Sequence, residues 1–174
     1  MAQKIQINRI TNANLYVNGN SKLGRAEEIS APVVKFKMSE HKAIGLFAAM
    51  EFPSGVEKLE MKVKWNSFYA DVLKTVADPF SMIEMQIRAS METWESNAKT
   101  GEVPVVIFVN GTAKDFPLGN FKQHDNVESE TNFTVYYYKM EINGEEIAEC
   151  DVMANIYKVN GVDLFAKYRA NLGI

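Results

Sequence analysis

Asn-Gly dipeptides punctuate this chain at four places: Asn18-Gly19, Asn110-Gly111, Asn143-Gly144 and Asn160-Gly161. Both residue types tolerate positive φ, which the two central positions of a type I′ hairpin turn demand. Three of the pairs adjoin runs rich in β-branched and aromatic residues. Leu15–Val17 precedes the first, Val105–Val109 precedes the second, and Tyr136–Ile142 and Glu145–Val152 flank the third. Tight turns join antiparallel neighbours, so the pattern confines the chain to an antiparallel β architecture.

Period-two alternation supports this. Ile83, Met85, Ile87, Ala89 and Met91 fall on one face of a strand, with Glu84, Gln86, Arg88 and Ser90 on the other. Leu59, Met61, Val63 and Trp65 oppose Glu60, Lys62 and Lys64 in the same way. Each reads as a strand with one buried and one wet face. Val103–Val109 is apolar on both faces and is expected to be covered on both. Two short helices interrupt the strands. Asn66 or Ser67 is positioned to cap the first, whose stripe is Phe68, Val72, Leu73 and Val76 and which Asp78-Pro79 ends. The second starts at Asp163 and carries Leu164, Phe165, Tyr168 and Leu172, with Gly173 at its end. The tight Asn160-Gly161 turn suggests that this helix folds back on the subunit's own sheet. The fold class expected is mainly β with two short helices (α+β), a small antiparallel β-barrel or sandwich, over 1–174 as a single domain.

The segment at about 39–58 fits neither period. It is long for a hairpin loop and too apolar for a solvated one, with Ile44, Leu46, Phe47, Met50 and Phe52 close together. Two readings stand side by side: a protein–protein contact loop, or a short helix over Ala43–Phe52 packed on its own core.

The search for chemistry returns little. The catalytic signatures for nucleotide binding, hydrolase nucleophiles and zinc proteases are absent. His41 and His124 lie far apart in sequence and have no evident partners. His124, Asp125, Glu128 and Glu130 match no metal loop. Glu145, Glu149 and Asp151 read as one wet strand face, with Cys150 on the other as a small core residue. A lone cysteine makes no internal disulfide. The opening ten residues lack an apolar centre, so signal-peptide export is not expected, and no apolar run is long enough to span a bilayer. The net charge of −3 does not suit tight nucleic-acid binding. Lys35, Lys37, Lys62 and Lys64 would form a local positive patch if their two strands paired.

The residues also carry a family resemblance. The closing run IYKVNGVDLFAKYRANLGI resembles the C-terminus of major tail tube proteins of contractile phage tails and R-type bacteriocins. NANLYVNG resembles that family's first strand and turn. HKAIGL followed by LEMKVKWN, then VADPFSMIEMQIRASM, and YYYKMEINGEEIAECDVMANIYKVNG resemble later parts, so the likeness spans nearly the whole chain. It implies a structural, non-enzymatic subunit with no cofactor. Such subunits form hexameric rings that stack into a tube inside a contractile sheath, growing from a baseplate around a tape-measure protein. The tube belongs to the virion tail, assembles in the host bacterial cytoplasm, contacts no membrane, and conducts DNA without specific binding; in bacteriocins no genome passes. On this resemblance His41, Lys42, Ile44, Gly45, Leu46, Phe47, Met50 and Phe52 form the inter-subunit stacking loop. Lys35, Lys37, Glu60, Lys62, Lys64, Glu84 and Arg88 are candidates for a wet or lumenal strand face. The alternatives are a type VI secretion-like or bacteriocin tube protein that carries no genome, and an enzyme or small-ligand barrel.

Overall fold

The computed structural model describes residues 5–174. In chain order the elements are β1 (Gln6–Val17), β2 (Asn20–Ser21), β3 (Ala26–Ser30), β4 (Phe36–His41), β5 (Met50–Val56) and β6 (Leu59–Trp65). Then come α1 (Ala70–Val76), β7 (Ile83–Glu95), β8 (Ala98–Ala113), β9 (Ser129–Ile142), β10 (Glu145–Asp151), β11 (Ile156–Val159), β12 (Val162–Asp163) and α2 (Ala166–Leu172).

Ten strands form one antiparallel sheet whose main path runs β12-β11-β10-β9-β8-β7-β1-β2. The sheet forks at β9. The first half of β9 pairs with β6, from Trp65 opposite Ser129 to Leu59 opposite Val135, and β3 extends that arm. Its second half pairs with β10, from Tyr137 opposite Asp151 to Ile142 opposite Glu145. The result is sandwich-like and is not a closed barrel. The alternating residues read from the sequence enter the shared core, Leu59, Met61, Val63 and Trp65 from β6 and Ile83, Met85 and Ile87 from β7, and Phe133, Val135 and Tyr138 from β9 join them. Val72 and Val76 of α1 are buried in the same cluster. Within it the Trp65 indole N–H donates to the buried Thr131 hydroxyl at 3.2 Å, satisfying a polar group that would otherwise be costly to bury.

Three Asn-Gly pairs make the expected turns. Asn18/Gly19, Asn143/Gly144 and Asn160/Gly161 each have positive φ at both positions and join β1–β2, β9–β10 and β11–β12. The fourth does not. Asn110-Gly111 lies inside β8, where β9 bulges: Asn110 pairs with Tyr137 and Gly111 with Val135. A Cβ on Gly111 would sit 2.2 Å from the Thr134 carbonyl oxygen. This glycine serves close backbone approach rather than a turn.

Four further expectations are corrected. The segment at about 39–58 holds no helix, and only its middle, 42–49, and the link at 57–58 are irregular. It is a separate two-stranded hairpin, β4–β5, with Phe36 opposite Val56 and His41 opposite Met50. The strands on either side of it do not pair with each other, so Lys35 and Lys37 are not brought beside Lys62 and Lys64. Val103–Val109 is fully buried at Val105 and Val109 on one face and only half-covered at Val106 and Phe108 on the other. Finally, α2 does not bury its stripe. It contributes no buried residue, and Leu164, Tyr168 and Leu172 are each more than half exposed. Only Phe165 turns inward, stacking at 6.1 Å on Tyr157.

Candidate assembly surfaces

Nothing among the described residues resembles a catalytic or metal centre. No group of three or more His, Cys, Asp or Glu side chains is placed to hold a metal ion. His41 stands exposed on the β4–β5 hairpin and His124 in an exposed turn at φ 61°. Glu128 and Glu130 do not converge with His124; they pair with Lys64 at 3.4 Å and Lys62 at 3.0 Å. Cys150 is buried, and burial pushes its thiol pKa up, away from the nucleophilic thiolate. Among the described residues no helix is long and apolar enough to cross a membrane.

The chain does present unfinished surfaces. The first is the hairpin tip. β4 and β5 pair antiparallel, and Gly45 at φ 91° lies in the connection that turns the chain between them. The tip therefore projects away from the core. Ile44 and Phe47 are fully exposed, at 107% and 108%, and Leu46, Met50 and Phe52 are also exposed. His41, Lys42, Ile44, Gly45, Leu46, Phe47, Met50 and Phe52 thus lie together on one projection, with Lys42 held by Glu40 at 3.0 Å.

The second is a sheet edge. Beyond the core, β1, β7 and β8 continue as a three-stranded arm, with Gln6 opposite Glu95 and Glu95 opposite Ala98. β2 pairs only with Tyr16 and Val17, so from Gln6 to Asn14 the far side of β1 has no strand partner among the described residues. Ile7 and Ile10 are exposed on it. An edge of this length is an open template for another strand. Little in the sequence marks it, since the alternation of Ile5 and Ile7 breaks at Arg9.

The third is the sheet face turned away from the core. Glu60, Lys62 and Lys64 of β6 and Glu84 and Arg88 of β7 all lie on it; Lys35 and Lys37 do not, because their segment leaves the sheet. Its lysines are matched to carboxylates. Lys62 meets Glu130, Lys64 meets Glu27 at 3.3 Å, Lys139 meets Glu141 at 2.7 Å, and Lys158 meets Glu149 at 2.5 Å. The Lys114 and Lys58 ammonium groups beside Glu60 pull its carboxyl pKa down to about 2. Glu27 and Glu128 raise the Lys64 pKa, Glu27 most. Burial, then the hydrogen bond to Glu149, pushes Tyr137 up to about 12. Arg88 lies over the Tyr16 ring at 5.6 Å.

The fourth is an apolar groove of about 790 Å³ between the hairpin base and α2. Phe36, Val56, Tyr157, Leu164, Phe165 and Tyr168 line it.

The model of the family described as phage tail tube protein FII matches residues 7–173. The chain belongs to this tail tube family. The tail tube protein of Escherichia phage P2 is a relative, 26% identical over 164 residues, covering 92% of this chain and 94% of that protein. Among solved structures, a chain of the sheath–tube complex of an extracellular contractile injection system in its extended state has a similar fold. The TM-score is 0.57 with 11% identity, over 74% of this chain and 87% of that one. As a tail tube protein, the chain is a structural component of a phage tail.

Proposed function

We propose that this tail tube protein is the repeating subunit of the inner tube of a contractile tail, built from stacked hexameric rings inside a sheath. The observation that carries the reading is the free β1 edge together with a second open edge of the same sheet at β3, which pairs only with β6. Strand edges continued from copy to copy and closed into a ring would leave no edge exposed. The hairpin projects from that sheet as a separate two-stranded element, suited to reach a neighbouring ring. In this reading the face bearing Glu60, Lys62, Lys64, Glu84 and Arg88 lines the lumen. Its lysines are already occupied by Glu130, Glu27, Glu128 and other carboxylates, so a passing DNA strand meets no continuous cationic track from which to release counterions. DNA would slide through without being held. Sheath, tape-measure and baseplate proteins are the further partners, the virion tail is the location, assembled in the host bacterial cytoplasm, and no enzymatic step is involved.

Negative-stain microscopy of the purified protein at high concentration tests this. Rings or tubes with a central channel and six-fold symmetry are expected. A uniformly monomeric preparation over the full accessible concentration range would overturn it.

A further inference from the structure

We infer that the groove between the hairpin base and α2 receives the hairpin tip of a second copy of this chain; this rests on the tube reading above. The tip is a convex apolar feature with two fully exposed side chains, Ile44 and Phe47. The groove is its concave counterpart. Its wall is a chain of aromatic contacts, Phe36 to Tyr157 at 5.8 Å, Tyr157 to Phe165 at 6.1 Å and Phe165 to Tyr168 at 5.9 Å. It is partly open because α2 leaves its stripe unburied.

A subunit cannot fill its own groove with its own tip. The groove is built on the base of the same hairpin, at Phe36 and Pro53–Val56. The tip lies beyond six residues of extended strand, about 20 Å away. The occupant must therefore come from another molecule, and charge favours another copy. Lys42, two residues from Ile44, is held in the free subunit only by the exposed Glu40. The lining of the groove includes Glu57 and Asp151, neither of which forms a salt bridge among the described residues, while the lysine in the same lining, Lys58, is already paired with Glu60 at 2.9 Å. Seating the tip would bring Lys42 towards these carboxylates as Ile44 and Phe47 leave water. Donor and acceptor are different surfaces, and in stacked rings the contact passes from one ring to the next rather than being exchanged between two copies. Each copy gives one tip and receives one, and the arrangement propagates without a dimer end-point.

The test is site-directed cross-linking in assembled tubes. Phe47→Cys and Leu164→Cys chains are prepared separately, mixed in equal amounts, assembled and treated with a short bismaleimide. A covalent dimer joining residues 47 and 164 is expected from the mixture only. Each variant alone controls for the buried Cys150, and each should keep the denaturation midpoint of the unmodified subunit. If either variant does not assemble, Ala48→Cys with Tyr168→Cys takes its place. In addition, Lys42→Glu should raise the concentration at which tubes appear, and Glu57→Lys in the same chain should lower it again. Tubes that form in the mixture without a tip-to-groove dimer overturn the inference and leave the tube reading intact. If the unmodified chain makes no rings or tubes, the tube reading fails and this contact fails with it.

Discussion

Truncation after Val159 removes β12 and α2 and separates two roles for the C-terminus. If the helix packed on its own subunit, four large apolar side chains at about 1.5–3 kcal/mol each would be lost, roughly 6–12 kcal/mol in total. That would unfold most domains of this size, whose whole stability is about 5–15 kcal/mol. The structure gives a smaller figure. Leu164, Tyr168 and Leu172 are 54–56% exposed, and no residue of α2 is buried. Phe165 is half-buried and forfeits about 1–1.5 kcal/mol. The Asp163–Arg169 pair disappears whole with the segment, and a solvent-accessible pair contributes at most about 1 kcal/mol. The three half-exposed side chains forfeit about 0.7–1.3 kcal/mol each by the same measure, so the expected loss is about 3–6 kcal/mol, read as a partial shift of the urea midpoint. Assembly, followed by light scattering and microscopy, should stop, because one wall of the groove is gone. A loss of about 8 kcal/mol or more would show that the helix stabilises its own subunit as a fully packed element and that the surface assignment is wrong.

Further outcomes are expected from single positions. Ile44→Asp with Phe47→Asp should leave the subunit's midpoint unchanged and abolish tubes, since both side chains are fully exposed in the free chain; tubes of normal length from this variant would refute the role of the tip. Gly111→Ala puts a methyl against the Thr134 carbonyl and should destabilise by about 1–3 kcal/mol through forced separation of β8 and β9, with an unchanged midpoint as the contrary result. Thr131→Val leaves the buried Trp65 N–H without its acceptor and should lower stability by about 1–3 kcal/mol in the same assay. Acid should weaken the fold in a defined window. Glu60, Glu149 and Asp163 have pKa values held low by Lys114, Lys158 and Arg169 respectively. A carboxylate whose folded pKa is depressed stabilises the native state above its unfolded pKa, and that contribution disappears as pH falls through the folded value. For Glu60 the loss runs from its ordinary 4.5 down to about 2; acid titration of Glu60→Gln beside the parent should show a flatter decline there.

The strand faces of β6 and β7 were legible because alternation is a property of the strand itself, and Leu59–Trp65 and Ile83–Ile87 bury as the period requires. Three turns were legible for the same local reason. Asn110-Gly111 misled because its glycine answers Thr134 and Val135 on the neighbouring strand rather than the bend of its own chain. The hairpin was invisible because its apolar residues do not sort into a wet and a buried face. With no core beneath it, both faces stay exposed. The exposure of α2 was misread because an apolar stripe states that something covers it and not what. Strand partners were hidden throughout, since pairing β6 to β9 rather than to the segment before it depends on contacts across the whole fold.

The fork at β9 also dictates an order of events during synthesis. β6 is complete at Trp65, yet its inner partner begins only at Ser129. Until the ribosome has passed that point, β6 can pair only with β3, and Leu59, Met61 and Val63 have no second wall. The β7–β8 hairpin, local in sequence, can form at once and waits as a template. β9 then closes both arms together, a non-local step of the kind that slows folding to milliseconds or seconds. A nascent chain stalled before residue 129 would display open edges on both arms, alongside copies of itself on neighbouring ribosomes that display the same edges. Timely completion of one strand thus separates orderly ring formation from premature tangling.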